Sequence, residues 1–297
     1  MSLDVFMKNN KNLVDQKLQE YLPNKSEYPT AIHEAMHYSV FAGGKRLRPL
    51  LTLAAGDLFG ANKKTILPFA CAIELIHTYS LIHDDLPALD NDDLRRGKST
   101  NHVVFGEDIA ILAGDALLIY AFELMTSKGV ENFTDARTPL WAISEVAKAS
   151  GTKGMIGGQV VDIKSEKNAD IDLETVSYIH KHKTGALFTA SIRIGAILSQ
   201  ASQADLEKLT TYAQKLGLAF QVVDDILDIE GDEQKLGKTV GKDDDNEKAT
   251  YPKIMGLKES HEYASRLHHE ALTAISDYGE EANILRELAN KIVNREK

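Results

Sequence analysis

An acidic segment that directly follows an apolar run constrains this chain more than any other feature. The run 69–82 has the apolar spacing of a buried helix. Five aspartates follow within the ten residues 84–93, and after them come the adjacent Arg95 and Arg96. Carboxylates this close repel one another unless a multivalent cation lies among them. The segment therefore indicates either a metal site or a solvated acidic turn between two helices.

The residue types in this segment suit a metal-bound diphosphate. Mg²⁺ takes one or two protein carboxylates and fills its other positions with water and phosphate oxygens. Guanidinium groups bind phosphate oxygens in bidentate fashion, which is the role we expect for Arg95 and Arg96. Pro87 lacks an amide N–H and should distort the last helical turn, so that Asp84 and Asp90 point into one space.

A second acidic cluster, Asp224-Asp225-Ile226-Leu227-Asp228, lies in a strongly helical stretch. Residues four apart share a helix face, so Asp224 and Asp228 should lie close enough to hold a metal between them. Two such clusters on buried helices, facing each other across a cavity, predict one multi-metal diphosphate site.

Together these motifs resemble those of the trans-isoprenyl diphosphate synthases, specifically the bacterial type of farnesyl diphosphate synthase. The resemblance rests on both aspartate motifs, on the Leu-Arg-Arg-Gly after the first, and on segments 43–49, 236–238 and 248–252. It implies an all-α fold, a single-domain bundle of about ten or more helices around a central substrate cavity, over residues 1–297.

The resemblance implies head-to-tail prenyl transfer. Isopentenyl diphosphate would be condensed with dimethylallyl and then geranyl diphosphate to give farnesyl diphosphate (C15) and diphosphate. Three Mg²⁺ ions are implied, with Mn²⁺ able to substitute; Asp84 and Asp90 would bind two of them and Asp224 the third, and Asp85 and Asp228 are further candidate ligands. The implied catalytic residues are Asp84, Asp85, Asp90, Arg95, Lys183, Asp224 and Lys238.

Two diphosphate sites follow from the resemblance. The isopentenyl diphosphate site would use Gly44, Lys45, Arg48, His77 and Arg96. The allylic diphosphate site would use Arg95, Lys183, Thr184, Gln221 and Lys238. Without the resemblance, the cations near residue 45 are equally a surface cluster, and Lys183 is an ordinary solvated lysine. We expect Arg46 to face away, because consecutive side chains cannot all converge.

Glycines mark two places where helices should deviate or approach closely. Glycine inside a helix costs roughly 1 kcal/mol relative to alanine, so Gly185 should kink the helix expected over 175–199 and expose a carbonyl near Lys183. Gly157 and Gly158 should permit close helix approach beside Gln159 and Asp162. The glycine- and charge-rich stretch 231–250 is expected to be a mobile lid, with Asp243, Asp244 and Asp245 solvated.

Product length is the least constrained property. The resemblance places Tyr79 and Ser80, just before the first aspartate motif, on the floor of the cavity in which the hydrocarbon tail grows. The large ring of Tyr79 would stop growth at C15, although a tyrosine packed in the core explains it equally well. A geranylgeranyl or longer-chain synthase is therefore the main alternative. Asn91 stands where many members of the family have another acid, and we expect little loss from it.

Two further alternatives fit less well. A terpene cyclase would also be helical and magnesium-dependent, but Asp224, Asp225 and Asp228 speak against the Asn, Ser and Glu of its second motif. A non-catalytic subunit of the same fold should lack one aspartate motif or the arginine pair, and all are intact.

Composition limits partners and compartment. The formal charge of −10, from 44 acidic and 34 basic residues, argues against nucleic-acid or anionic-membrane binding. The single Cys71 suits a reducing cytosol. We count no run approaching eighteen apolar residues and no signal-peptide core, so we expect a cytoplasmic protein without stable membrane insertion. The family resemblance suggests a homodimer.

Overall fold

The computed structural model describes residues 1–166, 171–230 and 250–295. These residues form α-helices with short π and 3₁₀ turns, and one two-stranded hairpin, which confirms the all-α prediction. The chain divides into two compact units, Met1–Ile143 and Ser144–Lys297. The single-domain organisation stays a prediction.

The first unit carries the first aspartate motif. Its helices are α1 (Leu3–Tyr21), α2 (Thr30–Val40), α3 (Leu47–Asp57), α4 (Lys63–Asp84), α5 (Asn101–Phe105) and α6 (Glu107–Leu124). Strands β1 (Leu94–Arg95) and β2 (Lys98–Ser99) form an antiparallel hairpin after α4. A π-helical turn (Met125–Gly129) and a 3₁₀ turn (Val130–Asn132) extend α6, and α7 (Arg137–Ser150) spans the boundary between the units.

Helix α4 is the core of the first unit. Asn62 caps it by accepting a 3.0 Å hydrogen bond from the Lys64 amide. Phe69, Ile73 and Ile76 are fully buried, and α1, α2, α3 and α6 all contact this helix. A helix that is apolar on every side belongs in a core. It ends at Asp84, so the aspartate motif begins where the helix stops.

Two segments are long and apolar enough, by length and composition alone, to cross a membrane: Lys63–Asp84 and Glu107–Asn132. A search for uninterrupted apolar runs does not find these segments, because each contains scattered polar residues. Their mean hydropathy over 18 residues is nevertheless high. The first is 78% buried inside the fold, which is typical of a core helix; the second is 39% buried.

The second unit carries the second aspartate motif. Its elements are α8 (Met155–Ser165), α9 (Leu173–Ile179), a π-helical turn (His180–Thr184), α10 (Gly185–Leu198), α11 (Gln203–Glu230), α12 (Tyr251–Met255), α13 (Leu257–Ala274), a 3₁₀ turn (Glu280–Ala282) and α14 (Asn283–Val293). Helix α11 packs against α10 and α13, and the motif occupies its last turns. The helix expected over 175–199 is interrupted by the π turn directly before Gly185, and the kink with an exposed carbonyl near Lys183 stays a prediction.

Candidate active site

Backbone hydrogen bonds fold the first aspartate motif back onto the end of α4. The Asp90 amide donates to the Asp84 carbonyl at 2.9 Å, and the Asp92 amide donates to the Asp85 carbonyl at 3.2 Å. The loop therefore brings the backbones of Asp84 and Asp90 together across six residues. Asn91 has a φ of 51°. Asparagine tolerates this left-handed conformation better than most residues, so it suits the turn.

The hairpin after this loop directs the two arginines to different partners. Its two-residue turn, Arg96-Gly97, has φ values of 55° and 74°, as in a type I′ turn. Arg95 Nε donates to both carboxylate oxygens of Asp85, at 2.7 and 2.9 Å. Arg96 Nη1 instead donates to the Gly43 carbonyl. One arginine thus joins the aspartate loop, and the other reaches the glycine-rich segment 43–49.

That segment has room for Arg96 only because it contains glycine. Gly44 has a φ of 121°, and a Cβ there would lie 2.6 Å from Arg96 Nη1. Arg46 lies buried in the core, where it pairs with Glu74 Oε1 at 2.9 Å and Asp15 Oδ1 at 2.7 Å. The charge of Arg46 is therefore neutralised by two carboxylates inside the fold, whereas Lys45 is exposed.

His77 lies in a strongly cationic environment. Burial holds the pKa of His77 well below its ordinary value of 6.5, and the guanidinium groups of Arg48, Arg96 and Arg95 lower it further, so the imidazole is neutral. Burial also lowers the pKa of Arg48 to about 10 despite the attraction of Glu74. The buried Nε of Arg48 makes no hydrogen bond to any residue that the structure describes. Such a group of cations, incompletely neutralised, suits an anion.

Tyr79 is 6% exposed and contacts a neighbour on the same helix. The rings of Tyr79 and His83 make a T-shaped contact, with 5.5 Å between centroids and 83° between planes. His83 Nε2 lies 3.0 Å from the Ile111 carbonyl, and a Cβ on Gly114 would lie 2.1 Å from the same nitrogen. The Ser80 hydroxyl donates to the His77 carbonyl at 2.9 Å. His83 and Tyr79 are four residues apart on α4, so their contact follows from helical spacing, whereas the contact of His83 with Ile111 does not.

In the second unit, Lys183 lies in the π-helical turn and Thr184 ends that turn. Lys183 Nζ pairs with Asp162 Oδ2 at 2.6 Å. A Cβ on Gly158 would lie 2.1 Å from the Lys183 amide nitrogen, which confirms the close approach expected at this glycine. π-helical turns within α-helices are frequent at functional sites.

The three acids of the second motif differ in accessibility. Asp225 and Asp228 are buried, while the side chain of Asp224 is 44% exposed. Asp225 Oδ2 accepts the Tyr251 amide at 3.0 Å and lies 3.3 Å from His180 Nε2. Burial lowers the pKa of His180, but Asp225 and Gln221 outweigh it and raise this pKa above its ordinary value. Asp225 therefore anchors the end of α11, and Asp224 is the more accessible ligand candidate.

Arg295 is a residue that sequence reasoning missed. Its Nη2 lies 3.1 Å from Asp224 Oδ1 and donates to the Phe220 carbonyl at 3.0 Å. Its guanidinium lies over the Phe220 ring, 3.9 Å from the centroid. No motif surrounds Arg295, and 71 positions separate it from Asp224. The sequence feature that could have pointed to a cation beside Asp224 is the aromatic ring of Phe220, four residues earlier on the same helix face.

Some predicted residues lie outside the described part of the chain. These are Lys238, the acids Asp243, Asp244 and Asp245, and the expected lid over 231–250 apart from Thr250. Gln159, expected beside Asp162, has a buried Oε1 without a hydrogen-bond partner among the described residues.

Known proteins resemble the chain over nearly its whole length. The family model described as "Polyprenyl synthetase" matches residues 29–289. A geranylgeranyl diphosphate synthase of Cyanophora paradoxa is 47% identical, over 99% of this chain and 97% of its own. A farnesyl diphosphate synthase of Bacillus subtilis (strain 168) is 44% identical, over 99% and 98%. The apo crystal structure of an FPP/GFPP synthase from Zymomonas mobilis is 38% identical with a TM-score of 0.88, covering 98% of each chain.

Proposed function

Because this chain belongs to the polyprenyl synthetase family and is a prenyl diphosphate synthase, we propose that its product is farnesyl diphosphate. It condenses isopentenyl diphosphate with dimethylallyl diphosphate and then with geranyl diphosphate, and releases diphosphate at each step. Both condensations transfer a prenyl group from an allylic diphosphate to the double bond of isopentenyl diphosphate.

The divergence of Arg95 and Arg96 is the observation that carries the proposed reaction between two diphosphate substrates. A reaction between two diphosphate substrates needs two anion sites at a short separation. Arg95 binds Asp85 in the aspartate loop, while Arg96 bonds to Gly43 in the segment that contributes Lys45 and Arg48. We assign Arg95 to the allylic diphosphate, and Arg96, Lys45, Arg48 and neutral His77 to isopentenyl diphosphate.

The carboxylates of both motifs fit Mg²⁺. Within the described ranges, no group of three or more His, Cys, Asp or Glu side chains could hold a metal alone. Mg²⁺ does not need one, because phosphate oxygens and water complete its octahedron. We assign Asp84 and Asp90 to Mg²⁺ in the first unit and Asp224 in the second, and turnover requires all three. Bound Mg²⁺ neutralises charge on the departing diphosphate.

The protein's own residues bind, orient and shield the substrates. Lys183 and Lys238 would bind the allylic diphosphate, and Asp162 holds Lys183 in place at 2.6 Å. Thr184 and Gln221 would face the carbon that becomes positive as the C–O bond breaks. Holding the two substrates in reactive geometry can contribute several kcal/mol. Excluding water protects that carbon from quenching.

The farnesyl product rests on Tyr79, a large buried ring that makes a T-shaped contact with His83 and would block a longer chain. The alternative is a geranylgeranyl product, which the name of the Cyanophora relative favours. We also propose a cytosolic homodimer, on the grounds of the single cysteine and the apolar surface of α6.

Product analysis tests the proposal directly. Purified protein is incubated with Mg²⁺, isopentenyl diphosphate and either dimethylallyl or geranyl diphosphate, and the chain length is read by mass spectrometry. We expect C15 from both primers and no product after chelation with EDTA. A C20 product would replace farnesyl with geranylgeranyl diphosphate, and absence of any elongation would contradict the assigned activity.

A further inference from the structure

The second unit contains a cavity that none of the assigned substrate or metal ligands lines. Its volume is about 710 Å³, and its walls come from α7, the turn before α8, the π-helical turn, α10, α11 and α13. Lys181, His182 and Gly185 line it, whereas Lys183, in the same turn, pairs with Asp162. The cavity and the proposed allylic site therefore share one short segment of backbone.

The charge of the lining is opposite to that of the protein. Five cationic side chains and one carboxylate, Glu145, line the cavity of a chain whose net charge is −10. Arg193 is held by Glu145 at 2.7 Å and by Thr210 at 2.5 Å, and Lys215 is held by Glu270 at 2.6 Å.

The other three cations, Lys148, Lys153 and Lys181, form no ion pair with any described residue. Since Glu145 neutralises Arg193 and Glu270 neutralises Lys215, these three lysines leave a net positive charge in the lining that no described carboxylate pairs with. An anion is the complementary ligand.

The remaining lining combines the polar side chains of Thr189, Thr210 and Gln214 with an apolar wall. Leu218, Leu267 and Ala190 are almost fully buried, and the Tyr263 ring stands beside them. Ligand sites commonly combine a predominantly apolar wall with a few polar groups that fix orientation, in clefts of roughly 300–1,000 Å³. A cavity with lysines and an apolar wall favours a molecule with one anionic end and one apolar body.

We propose that this cavity binds an amphipathic organic anion, with a phosphate or sulfonate head on an apolar body, and that the bound molecule stiffens the π-helical turn His180–Thr184. Lys181 and His182 would contact the head group from one side of the turn, while Gly158 packs against the Lys183 backbone. Occupation of the cavity would restrict the turn that carries Lys183. An effect on turnover would rest on the proposed function, but binding and stiffening do not.

The test uses 8-anilinonaphthalene-1-sulfonate, an anion with an apolar ring system whose fluorescence rises when it leaves water. Its binding to the wild-type chain is compared with binding to K148Q/K153Q/K181Q and to the matched control K8Q/K25Q/K64Q. Both triple variants remove three exposed lysines that pair with no carboxylate in the described part of the chain, and the change in net charge is identical. We expect about tenfold weaker binding in the cavity variant and unchanged binding in the control. Equal binding by both variants would overturn the proposed site.

Hydrogen–deuterium exchange then measures the turn itself. With the probe bound, amides over 180–185 should exchange more slowly in the wild type and in the control, but not in the cavity variant. Exchange unchanged by a bound probe would overturn the stiffening. Inorganic phosphate and an alkyl phosphate are then compared as competitors of the probe. If both displace it at the same concentration, the cavity recognises only the anionic head group, and the proposal of an amphipathic ligand is wrong. Each result holds even if the chain makes no farnesyl diphosphate.

Discussion

At the scale of single residues, the contact between Tyr79 and His83 bears most directly on product length. Gly114 leaves the space that His83 occupies, and the Ile111 carbonyl lies beside its Nε2. The rings of Tyr79 and His83 make a T-shaped contact, and Tyr79 is 6% exposed. A large ring packed in this way can act as a barrier to a growing hydrocarbon chain.

Replacing Tyr79 with alanine should lengthen the product from C15 to C20 or beyond, because the barrier is removed. Tyr79→Phe is the matched control: it keeps the ring and should still give C15. Chain lengths are compared by mass spectrometry. Truncating a buried aromatic side chain costs about 3–5 kcal/mol, so a thermal unfolding curve establishes that Tyr79→Ala is folded. A folded Tyr79→Ala variant that still makes only C15 would remove Tyr79 from chain-length control.

His77 should make stability depend on pH. Its pKa lies well below 6.5 in the folded state, so between these two values the unfolded chain binds a proton that the folded chain does not. Stability contributed by neutral His77 is therefore present above pH 6.5 and is lost as the pH falls below it, with a slope of at most about 1.4 kcal/mol per pH unit.

Urea unfolding of wild type and His77→Gln between pH 7 and pH 5 measures this effect, since glutamine cannot titrate. The wild type should lose more stability on acidification than the variant. His33, half-buried on α2, supplies the control: His33→Gln should keep the wild-type slope. If the free energy of unfolding changes equally with pH in wild type and His77→Gln, His77 is not responsible for the pH dependence.

At the scale of elements, local sequence signals predicted the helices. The arrangement of side chains in the candidate site depends on contacts between residues far apart in the sequence, which local signals do not predict. The apolar run 69–82 predicted a buried helix, and α4 runs from 63 to 84, because apolar spacing and the aspartates that end the helix are local signals. The break near Lys183 followed from Gly185 for the same reason. The hairpin at Arg96 could not be foreseen, since Arg-Gly is not a favoured type I′ pair. Asp225 accepts a hydrogen bond from the Tyr251 amide, 26 positions later, and the periodicity of a sequence cannot predict such a contact.

Gly158 is where α8 meets the π-helical turn, and alanine there should disturb both. The new Cβ would lie 2.1 Å from a backbone nitrogen, so the turn itself must move. Overpacking of this kind typically costs about 1–3 kcal/mol. Gly217→Ala is the matched control, because its Cβ would lie 3.2 Å from the Phe188 side chain, which can adjust.

Denaturant unfolding should show the larger loss for Gly158→Ala. The Michaelis constant for geranyl diphosphate should rise in that variant, since the displaced turn carries Lys183. Equal stability and equal Michaelis constants in the two variants would contradict the close packing of α8 on the turn.

At the scale of the whole molecule, exposed apolar residues are concentrated on particular helices. Helix α6 exposes Ile111, Leu112 and Ile119 in the first unit. Helix α8 exposes Ile156 and Val160, four residues apart on one face, in the second. Single exposed apolar residues are ordinary, but contiguous patches mark contact surfaces. The proposed homodimer would bury the α6 patch.

Ile119 is 66% exposed, so a glutamate there should leave the fold intact and oppose only the burial of α6 against a second copy. Sedimentation velocity should show a dimer for the wild type and a larger monomer fraction for Ile119→Glu. Asn9→Glu adds the same charge at an exposed position on α1 and should remain dimeric, which separates loss of the apolar contact from simple electrostatic repulsion. A charge buried without a partner is costly, so a dimer that buries this patch cannot accept Ile119→Glu unchanged. If both variants sediment as the wild type does, α6 is not the dimer contact, and the apolar face of α8 becomes the surface to test.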